Sequence, residues 1–258
     1  MLTRLLALIY GSACYIVFLA VATYAAGFVV GLYTPTSLDG VPNHPLSQAL
    51  LVDVGLLLAF ALQHSGMARQ GFKRWWTSIV PEWAERSTYV LFSSLAMIVL
   101  FVCWEPIGGV IWSGATGAVY AAIIGLYLVG WVVLLYATFL IDHFELFGLA
   151  QTWRRVTGVA PAAPRFHTPG LYRHVRHPIY LGWLLIFWAA PTMTVAHLVF
   201  ALGTTAYMLF AIRLEERDLI ATFGARYLEY RRQTPMLIPG MSPGRQGVAT
   251  PQPKGATK

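Results

Sequence analysis

Charge is what this chain has least of: Asp, Glu, Lys and Arg together make up 11% of its 258 residues, against 57% hydrophobic ones. Soluble domains carry roughly 25% charged residues, so a surface solvated on every side is excluded. Cysteine is scarce as well. Cys14 and Cys103 stand far apart in apolar runs with no Cys-x-x-Cys spacing, which excludes a disulfide framework and a thiolate metal centre. Two buried free thiols are the expectation. Acids are fewer than bases, 11 against 18, for a net charge of +7. A basic balance points to nucleic acid when it forms a face on a soluble module. No such module is present, and basic residues beside apolar spans set membrane topology and meet anionic headgroups. The chain also lacks an internal repeat of the transporter kind. Asp53 is the one acid well inside an apolar run.

What is present is a series of long apolar runs, about Leu5–Leu32, Leu46–Met67, Thr88–Trp104, Gly117–Ile141 and Pro178–Ile212. The first is too long for the ~7–15-residue core of a signal peptide. The first four approach or exceed the ~17–25 residues that cross a hydrocarbon core. The last, as one helix, would be about 52 Å long at ~1.5 Å per residue, against a core of ~30 Å. Pro191 and Thr192 interrupt it, and proline breaks a helix. A hairpin of two segments, its first arm short, is therefore expected.

Basic residues arrange these segments. Arg4 precedes the first run; Arg69, Lys73, Arg74 and Arg86 lie between the second and third; Arg154, Arg155, Arg165, Arg173 and Arg176 precede the hairpin. Every other Lys and Arg follows it, and the loops Tyr33–Pro45 and Glu105–Thr116 contain none. With six segments all 18 fall on one side, which the positive-inside rule makes cytoplasmic. The expected fold is all-α: a polytopic integral membrane helical bundle of about six membrane segments, the last two a short hairpin, with its charged working surface on the cytoplasmic side and both termini inside. Residues 1–239 read as one domain. Residues 240–258, rich in Gly, Pro, Ser, Thr and Gln, read as a disordered tail.

Chemistry gathers at the mouth of the hairpin. Between Tyr172 and Tyr180 stand Arg173, His174, Arg176, His177 and Pro178. An interfacial belt accounts for arginines and tyrosines, but not for two histidines, a proline and Gly182 in the same turn. The hairpin exits through Glu215 and Glu216; on a helix Glu216, Leu219, Ile220, Phe223 and Tyr227 share a face, and Gly224 reads as a helix stop. A carboxylate pair just below an apolar span is costly without a partner. Because one hairpin joins the two stretches, Arg176 and His177 are expected to meet Glu215 and Glu216.

These residues carry a resemblance. The turn Arg176-His177-Pro178-x-Tyr180-x-Gly182, then a hairpin, then Glu215, Glu216, Leu219, Phe223, Gly224, Tyr227 and Tyr230, resembles the signature of the isoprenylcysteine carboxyl methyltransferase and phospholipid methyltransferase superfamily of membrane enzymes. Outside it, Gln63–Arg69, Phe72–Thr77, Glu85–Tyr89 and Phe139–Leu149 look like the bacterial methanethiol S-methyltransferases, a branch that also holds NnrU-like proteins. This similarity spans roughly residues 1–239. It implies a bacterial inner-membrane location, S-adenosylmethionine as methyl donor, methanethiol as a small volatile acceptor arriving through membrane lipid, and no metal.

The residue types suit that donor. A carboxylate is matched by Arg173, Arg176, His174 or His177, ribose hydroxyls and an amino group by Glu215 and Glu216, and a sulfonium by the faces of Tyr172, Tyr180, Tyr227 or Tyr230. Apart from Arg173, these residues and Pro178 are the candidate cofactor-binding set. For the acceptor, only the thiolate is a good nucleophile, and a cysteine-like thiol has a pKa of ~8.5. His64, His143 and Asp142 are the catalytic candidates. Helix packing is the competing role for His64, and a helix-end or ion-pair role for Asp142. Two other functions remain open: methylation of a lipid or an isoprenylcysteine, and a non-enzymatic NnrU-like protein.

Overall fold

The structure is a computed structural model that describes residues 1–161, 163 and 165–241. From residue 242 onward the expected tail lies outside the described residues. Five helices are long and apolar enough to cross a membrane: α1 (Leu2–Val30), α2 (Leu46–Met67), α4 (Glu82–Cys103), α5 (Gly117–Leu140) and α9 (Val195–Phe223). Short helices decorate their ends: α3 (Gln70–Trp76), α6 (His143–Leu146), α7 (Leu149–Thr157), α8 (Pro178–Trp188) and α10 (Ala225–Gln233). Local sequence sets the boundaries. Gly31, at φ 68°, closes α1 in a left-handed cap, and Pro45 and Pro81 precede α2 and α4. Large apolar side chains such as Leu51, Leu62, Val132 and Phe139 point outward. An apolar band of that extent belongs in a bilayer, and the chain is a multi-pass membrane protein.

Where α1, α4, α5, α8 and α9 meet, the core is built from Phe28, Phe101, Trp104, Leu134, Ile186 and Phe200. The closest approach joins α5 to α8. A Cβ at Gly182 would lie 2.9 Å from the Gly130 carbonyl oxygen, and one at Gly130 would lie 3.0 Å from that of Gly182. Only glycine permits that contact, which accounts for Gly182 in the signature turn.

The sixth crossing differs from the expectation. α8 has 11 residues, about 16 Å at ~1.5 Å per residue, and cannot span as a helix. It ends at Trp188, before Pro191, and the chain completes the passage in extended form. β2 (Met193–Thr194) pairs with β1 (Val110–Trp112), and Thr194 caps α9 by accepting a hydrogen bond from His197 N–H at 3.0 Å. Exposed backbone is not tolerated in hydrocarbon, but backbone covered by protein is. Ala189, Ala190 and Met193 are buried, Trp112 donates to the Ala190 carbonyl at 3.3 Å, and Val195 N–H donates to Gly109 at 3.1 Å. Five full helical spans and one half-helical passage make six crossings.

The two ends of the bundle differ in charge. At one end Arg4 donates to Val156, Arg69 to Asp218 at 2.9 Å, and Arg86 to the Leu146 carbonyl at 2.6 Å. At the other, Asp39 pairs with Thr194 and His44 meets Glu105 at 3.1 Å. Asp53, fully buried, accepts from Glu105 N–H at 2.9 Å. Two expectations are corrected in detail. Cys14 is buried but Cys103 is exposed. Tyr227 does not continue the face of Glu216, because Gly224, at φ 57°, ends α9 and starts α10.

Candidate active site

At the basic end, His177 caps α8 and Pro178 occupies its first turn, both buried. Here Arg176 donates its Nε–H to Glu216 at 2.7 Å and its Nη1–H to the carbonyls of Arg231 and Thr234. His177 Nε2 lies 3.2 Å from the same Glu216 oxygen, and Arg231 stands 3.9 Å from the other. The backbone closes the arrangement: Arg176 N–H donates to Pro235 and His177 N–H to Met236. Residues 234–236 therefore strap the chain end onto the signature turn. Arg176 and Glu216 are occupied with each other and with the strap. Glu215 is different. It is 46% exposed, and its nearest basic partner is His177 Nδ1 at 3.9 Å.

Aromatic side chains from α9, α10 and the preceding loop surround this cluster. Tyr227 is 2% exposed, and its hydroxyl has no hydrogen-bond partner among the described residues. A buried polar group left so costs about 1–3 kcal/mol. Burial pushes the Tyr227 phenol up, with Glu216 adding to the rise. Tyr230 donates to the Tyr172 carbonyl at 2.5 Å, and burial pushes its phenol up to about 12. Tyr172 is pushed up by burial and then by Glu215, and donates to Ala137 at 3.5 Å. His174 is exposed and makes no side-chain hydrogen bond among the described residues. Phe166 packs its ring on Phe223, Tyr227 and Tyr230 at 5.4, 6.1 and 5.5 Å.

Tyr180 stands edge-on to His177, with ring centroids 5.7 Å apart. A second cluster surrounds His64 on α2. Ser93 lies 3.1 Å from His64 Nδ1, and the Tyr89 hydroxyl 2.9 Å from Nε2. Ser65 and Tyr207 bond each other at 3.1 Å beside them. The Arg86 guanidinium lies over the Tyr89 ring at 4.8 Å.

His143 and Asp142 sit elsewhere at the basic end. Thr138 donates its hydroxyl proton to Leu135, so His143 Nδ1–H donates to Thr138 Oγ1 at 2.8 Å. Nε2 then accepts from Tyr15 at 2.7 Å, and the ring stacks on Phe139 at 4.3 Å. The one acceptor nitrogen is already taken, and burial lowers the pKa of His143. Asp142, at φ 87°, caps α6 by accepting from Glu145 N–H at 3.0 Å, and Glu145 pairs with Arg154 through two bonds of 2.6 and 2.9 Å. No bond joins either residue to the Arg176–Glu216 cluster among the described residues. Sequence reasoning missed the 234–236 strap, Arg231, Phe166, Tyr89, Ser93 and Tyr207. Backbone carbonyls carry no sequence signal, and the hydroxyls lie on helices whose apolar composition hides them.

Comparison with known proteins is consistent with this geometry. The model of the isoprenylcysteine carboxyl methyltransferase (ICMT) family matches residues 128–221, from α5 through the hairpin to Glu215 and Glu216. The methanethiol S-methyltransferase of Crocosphaera subtropica is 52% identical over 92% of this chain and 93% of its own. That of Mycobacterium tuberculosis is 48% identical over 92% and 97%. Methanethiol S-methyltransferase 1 of Bradyrhizobium diazoefficiens is 47% identical over 92% and 83%. No solved structure matches.

Proposed function

The chain belongs to the family of the methanethiol S-methyltransferases, and on that premise we propose that it methylates methanethiol to dimethyl sulfide at the basic end of its bundle, with S-adenosylmethionine as donor. Glu215 carries this assignment, because it stands half exposed beside His177 at the mouth of the hairpin.

The residues suit the donor. The unpartnered Tyr227 hydroxyl, the Glu215 carboxylate and His177 Nδ1 offer contacts for ribose, amino and carboxylate groups. The faces of Tyr180 and Tyr230 offer a cation-tolerant wall for a sulfonium. When bound, the donor supplies an electrophilic methyl carbon. Arg176, Glu216 and the 234–236 strap hold the turn that presents these groups, so they position the site. On the acceptor side, His64 Nε2 receives the thiol proton through the Tyr89 hydroxyl bonded to it, which passes its own proton on as it takes that of the thiol, while Ser93 fixes the ring at Nδ1. Methyl transfer needs alignment more than acid–base work, so this proton removal and the orientation of the sulfur are the contributions of the helices. Asp142 and His143 brace the corner between α5 and α7.

In sequence order every Lys and Arg falls on the same side of the chain's crossings, which supports a cytoplasmic site with both termini inside. Methanethiol is small and apolar and reaches the bundle through the lipid of a bacterial inner membrane. Residues 1–239 act as one domain. The test is direct. Purified protein in detergent, given methanethiol and S-adenosylmethionine, is expected to release dimethyl sulfide into the headspace. Loss of donor without that product overturns the proposal.

A further inference from the structure

We infer that the aromatic side chains gathered at His64, namely Phe60, Tyr89 and Tyr207, act as a size filter that restricts the acceptor to the shortest alkanethiols. The inference rests on the functional proposal above and specifies its acceptor side.

The rings come from three helices and meet at one imidazole. Phe60 lies nearly parallel to His64 at 5.2 Å and 20°, and Tyr89 is tilted against it at 5.1 Å. Tyr207 stands edge-on at 6.5 Å and also contacts Phe60 at 6.0 Å. Phe60, His64 and Tyr207 each keep part of their surface uncovered, so the cluster is not a sealed core, whose residues are fully covered. These partly covered rings are the walls of the inferred crevice.

Charge in the crevice suits a small anion. Arg86 lies over the Tyr89 ring, and Arg69 is within electrostatic reach of the Tyr89 and Tyr207 hydroxyls. No carboxylate bonds to His64 among the described residues. Nearby positive charge favours a thiolate over its thiol. The sulfur thus has hydroxyl donors and a base, whereas the alkyl group has only ring faces.

The walls are fixed as well as close. Ser65 holds Tyr207, and His64 holds Tyr89, so each added methylene must displace a ring that is hydrogen-bonded in place. Amines of similar size are disfavoured by the two guanidinium groups, whose field opposes a cation.

The experiment compares kcat/KM for methanethiol and 1-butanethiol in the wild-type protein and in Phe60→Ala, Phe60→Leu and Tyr207→Ala. S-adenosylmethionine binding by calorimetry reports that each variant is folded. Opening one wall is expected to raise the butanethiol-to-methanethiol ratio by about tenfold or more, the scale on which an apolar pocket discriminates by a methylene. The Phe60→Leu variant keeps the surface of α2 apolar and gives the same information where an alanine variant does not fold. An unchanged ratio in folded variants overturns the filter while leaving the methanethiol activity in place. Equal use of both thiols by the wild type overturns it too. No dimethyl sulfide from the wild type overturns the functional proposal itself.

Discussion

Arg176 and Glu216 stand 40 positions apart in sequence and meet through a hydrogen bond of 2.7 Å. The pair is almost fully enclosed, with side chains 7% and 13% exposed, and Arg176 also holds the carbonyls of Arg231 and Thr234. One ion pair thus ties together the start of α8, the end of α9, and the chain beyond α10.

Neighbouring glutamates should therefore respond differently to the same change. Glu216→Gln leaves a buried guanidinium without its counter-charge, a loss of about 3–5 kcal/mol, and is expected to lower the melting temperature in detergent. Glu215→Gln should leave melting unchanged but weaken S-adenosylmethionine binding by about 1–3 kcal/mol. Calorimetry beside thermal unfolding separates the two. Equal behaviour of both variants would contradict their assigned roles.

His64→Ala is expected to lose most of its turnover while binding the donor normally, since the donor's charged groups are matched by other residues. Raising the pH should then restore part of the rate, because solvent generates the thiolate. Steady-state rates from pH 7 to 10, with donor affinity measured alongside, check this. A flat profile with wild-type turnover would reduce His64 to a packing residue.

His143 should matter to stability and not to chemistry. Burial lowers its pKa in the folded protein, so its contribution is complete above the unfolded value of ~6.5 and declines as pH falls through it. The unfolded chain takes up that proton more readily. His143→Gln is expected to flatten the loss of thermal stability between pH 7 and 5 while retaining turnover at neutral pH. Loss of turnover in a stable variant would instead place His143 in the reaction.

Membrane sidedness can be read by labelling single cysteines in intact cells of a Cys-free background. Val41→Cys, in the loop between α1 and α2, is expected to react with an impermeant thiol reagent. Gly240→Cys should react only after permeabilisation. The reverse pattern would turn the bundle over.

Much of this was legible in the sequence because charge and length are strong constraints in a bilayer. The basic residues required an even number of crossings, and the hairpin forced Arg176 and His177 toward the two glutamates. The form of the sixth crossing was not legible. Hydropathy reports that Pro178–Ile212 is apolar, but not that helix stops at Trp188 and extended backbone covered by protein completes the passage. Gly224 was legible as a helix stop and is one, but helical periodicity still carried Tyr227 past it onto the face of Glu216, whereas the structure sets Tyr227 on a separate helix. The hydroxyls around His64 went unseen for a third reason: Ser65, Ser93, Tyr89 and Tyr207 come from three helices, so no single stretch of sequence displays them together.

The glycine contact between α5 and α8 also decides what substitution these two helices can bear. With a carbonyl about 3 Å from any added carbon at positions 130 and 182, a methyl group at either one meets backbone of the other helix. Backbone cannot be trimmed by a second substitution. Each glycine is therefore required on its own account, and an alanine at one is not rescued by any change at its opposite.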